Sequence, residues 1–405
     1  MANLSGVKEQ SKPDLSVGHH AIYAKELRSF VMSEAAKPEN AVRTSSEVVS
    51  AFRNAGFYWL LVPKELGGSD RGLADFTLLA EELSSADSSA GWTIAAQGIA
   101  TMVAANYGSD AHVERMFGGS RLPVVSATYA PSGKAEATKQ GYRGGGRYSF
   151  GTGIGHADWV SSALVVHENG KPLTQADGRN RVVGAIVPVD RVNILGNWEV
   201  VGMEATGSFD YELPEQDVPA DWTFNQYWTE PMRASRAATI GTLTAVCAGH
   251  TGVALGIARR SLHEAALAAT AKKRLFATNS ISDNPTFKLD FVRMDALYQA
   301  ARSRAYAIFK EVDENADAGA TPTETEIHRV RQVATWTHQV CRDVCAFAYG
   351  SVSSSLRRPS ILGRNLFDAA VASQHVIVSD MSLFDASPSI IDQWASEQTA
   401  SVELQ

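Results

Sequence analysis

The chain changes character twice along its length. Up to about residue 120 apolar residues recur at helical spacing, and from about residue 235 that pattern returns and persists. Between the two, short β-branched runs are punctuated by glycine. Helices, a compact β unit, then helices again confine the fold to an α+β class that is mainly α. In the first part Phe76, Leu79, Ala80, Leu83 and Ala86 share one helical face, with Glu81, Glu82 and Ser85 on the other side. Asp75 just ahead of them reads as an N-cap. Val62-Pro-Lys-Glu-Leu-Gly-Gly68 breaks the helices.

In the middle, Leu122–Thr128, Trp159–Val166 and Arg181–Pro188 read as strands, the last two around a polar loop from His167 to Asn180. In the last part Met294, Leu297, Ala301, Ala305, Ile308 and Val312 alternate by three and four, and the Ala-rich run 236–270 suits close helix packing. Gly319–Glu326 reads as a capped helix-to-helix loop. We expect a helical unit over 1–121, a β unit over 122–232 and a helical bundle over 233–405.

Composition removes several functions. A net charge of -7 with a pI near 5.8 is the wrong sign for a general nucleic-acid binder. No apolar run approaches the ~20 residues that span a bilayer. Met1–His20 is polar, without the apolar core of a secretory signal, and reads as a frayed lead-in. Of the three cysteines, Cys341 and Cys345 share a helix face beside His338, too few ligands for zinc, and with Cys247 they read as buried thiols of a reducing compartment. No metal site is expected. No G-x-G-x-x-G follows a strand and opens a helix, so nicotinamide binding by a Rossmann unit is not expected.

Trp198-Glu-Val-Val-Gly-Met-Glu-Ala-Thr-Gly-Ser-Phe-Asp-Tyr211 packs Gly202, Gly207, Thr206 and Ser208 beside an anchoring Trp. By itself it describes a tight turn next to a strand. With its surroundings it resembles the G-M-x-x-T-G-S-x-D segment of flavin enzymes with the acyl-CoA dehydrogenase fold, and most of all their two-component (group D) monooxygenase branch. Other segments are similar to that branch, in order: Leu61–Gly68, Ala86-Asp-Ser-Ser-Ala-Gly-Trp92, Ser126–Ala135, Gly141–Gly153, His156-Ala-Asp-Trp159 and Leu362–His375. The resemblance implies an N-terminal helical domain, a small middle β-barrel or sheet and a C-terminal four-helix bundle.

The same resemblance assigns expectations to residues. Thr152 would face the flavin N5 as a neutral donor and Trp159 would wall the ring, against the plain reading of a turn Thr and a core Trp. Gly151 and Gly153 would let the backbone approach the cofactor, and Ser126 would lie on a flavin-facing segment. Gln374 and His375 end the last segment seven residues after Asp368, where dehydrogenases of this fold carry a glutamate. His375 would manage a proton, or be a satisfied core histidine; Asp368 would touch substrate, or pair with Arg364. Trp92 and Phe367 would shape a substrate pocket, Phe367 standing where the branch carries Arg. Lys273 and Arg274 fall where the family reaches a neighbouring subunit's flavin phosphates, or are exposed basic residues at a helix end. Asp283-Asn-Pro285 and Arg302 look architectural.

The function implied is the oxygenase component of a two-component monooxygenase. It would use reduced flavin (FADH2 or FMNH2) and O2, via a C4a-hydroperoxyflavin, on a small phenol- or indole-like aromatic. A separate NAD(P)H-dependent flavin reductase, a homotetramer and a cytoplasmic location follow from the same resemblance, with no nucleic acid and no membrane. Nitrogen or sulfur oxygenation, an acyl-CoA dehydrogenase and a catalytically silent flavoprotein are the alternatives.

Overall fold

The computed structural model describes residues 20–402; the polar lead-in lies outside them apart from His20. Five helices come first: α1 (His20–Ala35), α2 (Ser46–Asn54), α3 (Leu73–Ala86), α4 (Ser88–Tyr107) and α5 (Asp110–Phe117). Three start on a side chain that accepts an amide of the first turn: Ser45 from Val48, Asp87 from Ala90 and Ser109 from His112.

The start of α3 differs from the expectation. Its N-cap is Gly72, and Asp75 sits inside the first turn. The open amides of Leu73 and Ala74 donate to the two oxygens of Asp313, at 2.7 and 3.0 Å, across some 240 residues of chain. Gly72 is required there, since a Cβ would lie 2.3 Å from that carboxylate. Burial pushes Asp313 up, and the two amides oppose the shift. No local signal could reveal a cap delivered from the opposite end of the sequence.

Eight strands form one open sheet: β1 (Val125–Thr138), β2 (Gly141–Gly151), β3 (Trp159–Glu168), β4 (Lys171–Pro172), β5 (Val182–Pro188), β6 (Asn193–Ile194), β7 (Phe209–Pro219) and β8 (Thr223–Asn225). The order is β6-β7-β2-β1-β3-β5-β8, with β4 on β3. Only β1 and β3 run parallel. Of the two middle architectures expected, this is the sheet, because among the described residues no pairing joins β6 to β8. β1 extends ten residues past Thr128 through a register shift between Thr128 and Gly133. Tyr148, Val160, Leu164, Tyr211 and Leu213 make a core of its own, apart from the helical one.

Six helices follow: α6 (Arg236–Ile240), α7 (Thr242–Ala271), α8 (Pro285–Asp317), α9 (Glu324–Ser351), α10 (Ile361–Ala372) and α11 (Asp380–Val402). The long helices α7, α8, α9 and α11 form the bundle, with α9 touching each of the others. Ala301, Ala305, Ile308 and Val312 are buried along α8. Asn284 caps α8 ahead of Pro285, and Thr323 and Glu326 form a capping box on α9. The three cysteines are buried thiols, and burial pushes Cys247 up to about 12.

Small residues let α7 lie against α3. A Cβ on Gly252 would fall 2.4 Å from the Thr77 carbonyl, and one on Gly256 2.5 Å from that of Glu81. Beside this contact the fully buried Glu81 accepts from Arg302 Nε (2.9 Å), Tyr298 (3.1 Å) and Tyr306 (2.7 Å) of α8, while Arg259 of α7 clasps Glu82 at 2.8 and 2.9 Å. A buried carboxylate is tolerable only when paired in this way. Gly252→Val is expected to lower stability by roughly 1–3 kcal/mol through overpacking, read as a fall in Tm and in the denaturant midpoint.

Candidate functional site

Thr152 stands on the turn that ends β2. Phe150 and Gly153 hold left-handed φ of +67° and +65°, which reverses the chain around it. Three bonds fix the turn. Ser126 donates to the Thr152 carbonyl (2.9 Å), the Gly153 amide donates to the Thr206 carbonyl (3.0 Å), and Gln97 of α4 donates to the Gly153 carbonyl (3.0 Å). A Cβ on Gly153 would strike Gln97 at 2.6 Å. Ser126 therefore spends its hydroxyl proton on the turn. The half-buried Thr152 hydroxyl meets Ser208 at 3.0 Å. Gly151 packs where a Cβ would sit 3.0 Å from the Phe209 carbonyl. The exposed aromatic beside Thr152 is Phe150, 68% accessible and edge-on to Trp198.

The Trp198–Tyr211 segment is the tight turn its composition describes, with φ of +55° at Met203 and +52° at Gly207. Trp198 Nε1 anchors it by donating to the Glu204 carbonyl. Gly202 lets α10 dock backbone to backbone, since a Cβ would lie 2.6 Å from the Phe367 carbonyl. Asp368 closes this contact. Its Oδ1 accepts from the Met203 amide at 2.6 Å, Ser88 of α4 donates to its Oδ2, and Arg364 stands 3.6 Å away while also reaching Asp87 at 2.5 Å. Burial pushes Asp368 up; Arg364, Ser88 and the Met203 amide oppose it. The carboxylate is thus occupied by protein groups, whereas the Phe367 side chain on the next residue is 48% exposed.

His375 follows α10 and is exposed, with Gln374 exposed beside it. The Ile377 amide donates to His375 Nδ1 at 3.3 Å, so the neutral ring carries its proton on Nε2. The ring centroid lies 4.3 Å from His250 of α7 and 6.0 Å from Trp92 of α4; Trp92 stands edge-on to His250 at 4.7 Å. His250 is buried, its Nδ1 without a partner, and its carbonyl accepts from His338 Nε2 at 3.1 Å. Burial holds all three imidazoles below the ordinary range: His250 far below, pushed further by its two neighbours, and His338 down to about 4. His375 is lowered in the same way, to about 4, because the protein packed around its ring disfavours the charged form even though the residue has an open face. His250 belongs to no motif in the sequence, and His338 stood out only as a spare metal ligand.

Helix α4 ties these groups together. It carries Ser88 against Asp368, Trp92 against the histidines and Gln97 against the Thr152 turn. Trp92 and Gln97 are five residues apart, about 8 Å along the axis. Three expected residues lie elsewhere. The Trp159 ring meets His112 (5.3 Å) and Trp222 (6.2 Å). Lys273 and Arg274 occupy an exposed turn after α7, whose end lies about 32 Å along the helix from His250; there Lys273 bridges to Ser280 and Phe276 is 97% exposed.

Comparison with known proteins bears on this arrangement. The family described as acyl-CoA dehydrogenase, N-terminal domain, matches residues 19–119, and its C-terminal domain matches 248–380. An indole-3-acetate monooxygenase of Acinetobacter baumannii is 27% identical over 355 residues, 86% of this chain and 87% of that protein. The oxygenase component of an FADH2-dependent resorcinol hydroxylase from a Rhizobium species is 28% identical over 52% of this chain and 49% of its own. In three dimensions XiaF from a Streptomyces species, solved with FADH2 and glycerol, superposes with a TM-score of 0.84 at 19% identity, covering 92% of this chain and 95% of that one.

A histidine whose folded pKa lies below its unfolded value of about 6.5 binds fewer protons when folded, so stability falls as pH drops through that interval. Tm is expected to decline from pH 6.5 towards 4 and the histidine contribution to level off below. His338 alone contributes up to roughly 3 kcal/mol of that loss. His338→Gln, which keeps a donor for the His250 carbonyl, is expected to flatten the Tm–pH slope; an unchanged slope would place the acid sensitivity elsewhere.

Proposed function

Since this chain belongs to the acyl-CoA dehydrogenase family, within its two-component flavin monooxygenase branch, we propose that it is an oxygenase component that inserts one oxygen atom of O2 into a small aromatic or heteroaromatic molecule. The observation that supports this reading is that α4 touches both groups, the Thr152 turn through Gln97 and the His250–His375 pair through Trp92.

The residues present fit a flavin. A planar ring needs an apolar wall and a polar edge, and the exposed Phe150 ring beside the half-buried Thr152 hydroxyl supplies both. Reduced flavin, when bound, supplies the electrons and the centre at which O2 is activated. Gly151 and Gly153 hold the turn close to the sheet, and Ser126 and Gln97 keep its carbonyls from wandering. Trp92 and Phe367 offer apolar surface to an aromatic substrate. His375 presents Nε2–H and stays neutral above its lowered pKa, which suits donation of a hydrogen bond to an oxygen in the site. Asp368 acts as a positioning residue through Met203 and Ser88. One oxygen atom enters the substrate and the other leaves as water.

A phenol or an indole is the substrate class we favour, supported by the indole-3-acetate and resorcinol enzymes among the relatives. A separate NAD(P)H-dependent reductase would supply reduced flavin, and we place both in the cytoplasm; none of the described helices is long and apolar enough to cross a membrane. We propose a homotetramer, in which Lys273, Arg274 and the exposed Leu275 and Phe276 meet another subunit. We keep three units, 1–121, 122–232 and 233–405, as the domain division.

With reduced flavin, labelled O2 and a panel of phenols and indoles, label is expected in the product. His375→Ala and Thr152→Ala are each expected to lower labelled product about a hundredfold, with hydrogen peroxide rising in its place. Product formation unaffected by both changes would refute this site. Light scattering of the purified chain is expected to give four times the 43.5 kDa protomer mass.

A further inference from the structure

Two hydroxyls and one carbonyl stand in line behind the Thr152 hydroxyl. Thr206 Oγ1 lies 2.8 Å from the Met203 carbonyl, Ser208 Oγ lies 2.8 Å from Thr206 Oγ1, and Thr152 Oγ1 lies 3.0 Å from Ser208 Oγ. A carbonyl only accepts, and each hydroxyl has one proton to give. Thr206 must therefore spend its proton on Met203. Ser208 can then only donate to Thr206, and Thr152 can only donate to Ser208. The Met203 carbonyl also accepts from the Thr206 amide at 3.2 Å, so what orders the line is that any other assignment sets two oxygen lone pairs against each other at hydrogen-bond distance.

Both inner hydroxyls are buried, Thr206 at 2% and Ser208 at 3% exposure, so water does not compete for these protons. The ends of the line are also held. Met203 sits at φ +55° with its amide on Asp368, and the Thr152 carbonyl accepts from Ser126. The Thr152 hydroxyl thus faces the site with lone pairs alone, the reverse of the donor role expected from the sequence.

We propose that Thr206 and Ser208 lock the Thr152 hydroxyl as an acceptor, and that this lock selects the reduced flavin over the oxidised one. The inference rests on the reading above, in which Thr152 faces the flavin N5. Reduced flavin carries N5–H and can donate to Thr152; oxidised flavin has only a lone pair at N5 and meets another lone pair there. An oxygenase fed by a separate reductase has to capture reduced flavin from a pool containing the oxidised form, and has to release the oxidised form after turnover. A hydroxyl with its proton committed inward meets both needs without a charged group.

Equilibrium binding of FMN and FAD tests this, each titrated oxidised in air and dithionite-reduced under anaerobic conditions. The wild-type chain is expected to bind the reduced form at least tenfold more tightly. Ser208→Ala and Thr206→Val free the Thr152 proton to turn outward, and each is expected to narrow the ratio about tenfold, chiefly through tighter binding of oxidised flavin. Thr206→Ser keeps the inner donor and is expected to keep the wild-type ratio, which separates loss of the proton line from damage to the turn. Thr152→Val removes both the acceptor for N5–H and the opposing lone pair, and is expected to weaken reduced flavin and to narrow the ratio. An unchanged ratio in both Ser208→Ala and Thr206→Val, with Thr152→Val still weakening reduced flavin, overturns the lock and leaves the flavin site standing. Binding indifferent to Thr152→Val, or no binding of either flavin, overturns the flavin reading itself and the lock with it.

Discussion

The site depends on one buried carboxylate. Asp368 takes the Met203 amide on one oxygen and the Ser88 hydroxyl on the other, so a single side chain joins α10, the Trp198–Tyr211 turn and α4. A carboxylate is costly to bury, and that cost is what makes the junction specific: its partners must arrive together or it remains unsatisfied. Arg364, shared with Asp87 at the cap of α4, offsets the charge. Gly202 removes the one Cβ that would hold the two backbones apart. The same junction carries the turn that holds Thr206 and Ser208 and the helix that holds Trp92.

The polar groups around Thr152 and the histidines are mostly neutral ones. Three imidazoles crowd together with no carboxylate among their hydrogen-bond partners, and the protein packed around each ring lowers its pKa and favours the neutral form. On the sheet side the polar groups are hydroxyls, carbonyls and one carboxamide. Charge is instead concentrated where it supports architecture, as in Glu81 and Glu82 with Arg259 and Arg302. Structure and chemistry are kept apart along the same two helices, α3 and α4, by which residue types each carries.

Much of this was legible in the sequence because periodicity reports one buried face. The helix–sheet–helix order, the α8 stripe and a capped loop over Gly319–Glu326 all follow from local pattern, and the structure assigns that cap to Thr323. Thr152, His375 and Asp368 stood out because motifs mark them. What stayed hidden depends on partners remote in the chain. Ser208 and Thr206 were visible as turn residues, but their proton order needs the Met203 carbonyl in place. Gln97 and His250 lie in apolar helices where nothing distinguishes them from core polar residues. Phe150, two residues before Thr152, becomes exposed only through its left-handed backbone, while Trp159, seven residues after it, turns towards Trp222. Asp75 had the local credentials of a cap, and Asp313 took the role through tertiary contact.

That remote cap carries a consequence for the order in which the molecule is made. Synthesis runs from the N-terminus, so α3 emerges from the ribosome some 240 residues before the carboxylate that satisfies its first amides. Until α8 arrives, the start of α3 is solvated and free to fray, together with the Gly72 turn that only an absent side chain permits. The nascent first half of the chain is therefore an unfinished half, and its helices are sealed only when the bundle closes over them from the other end.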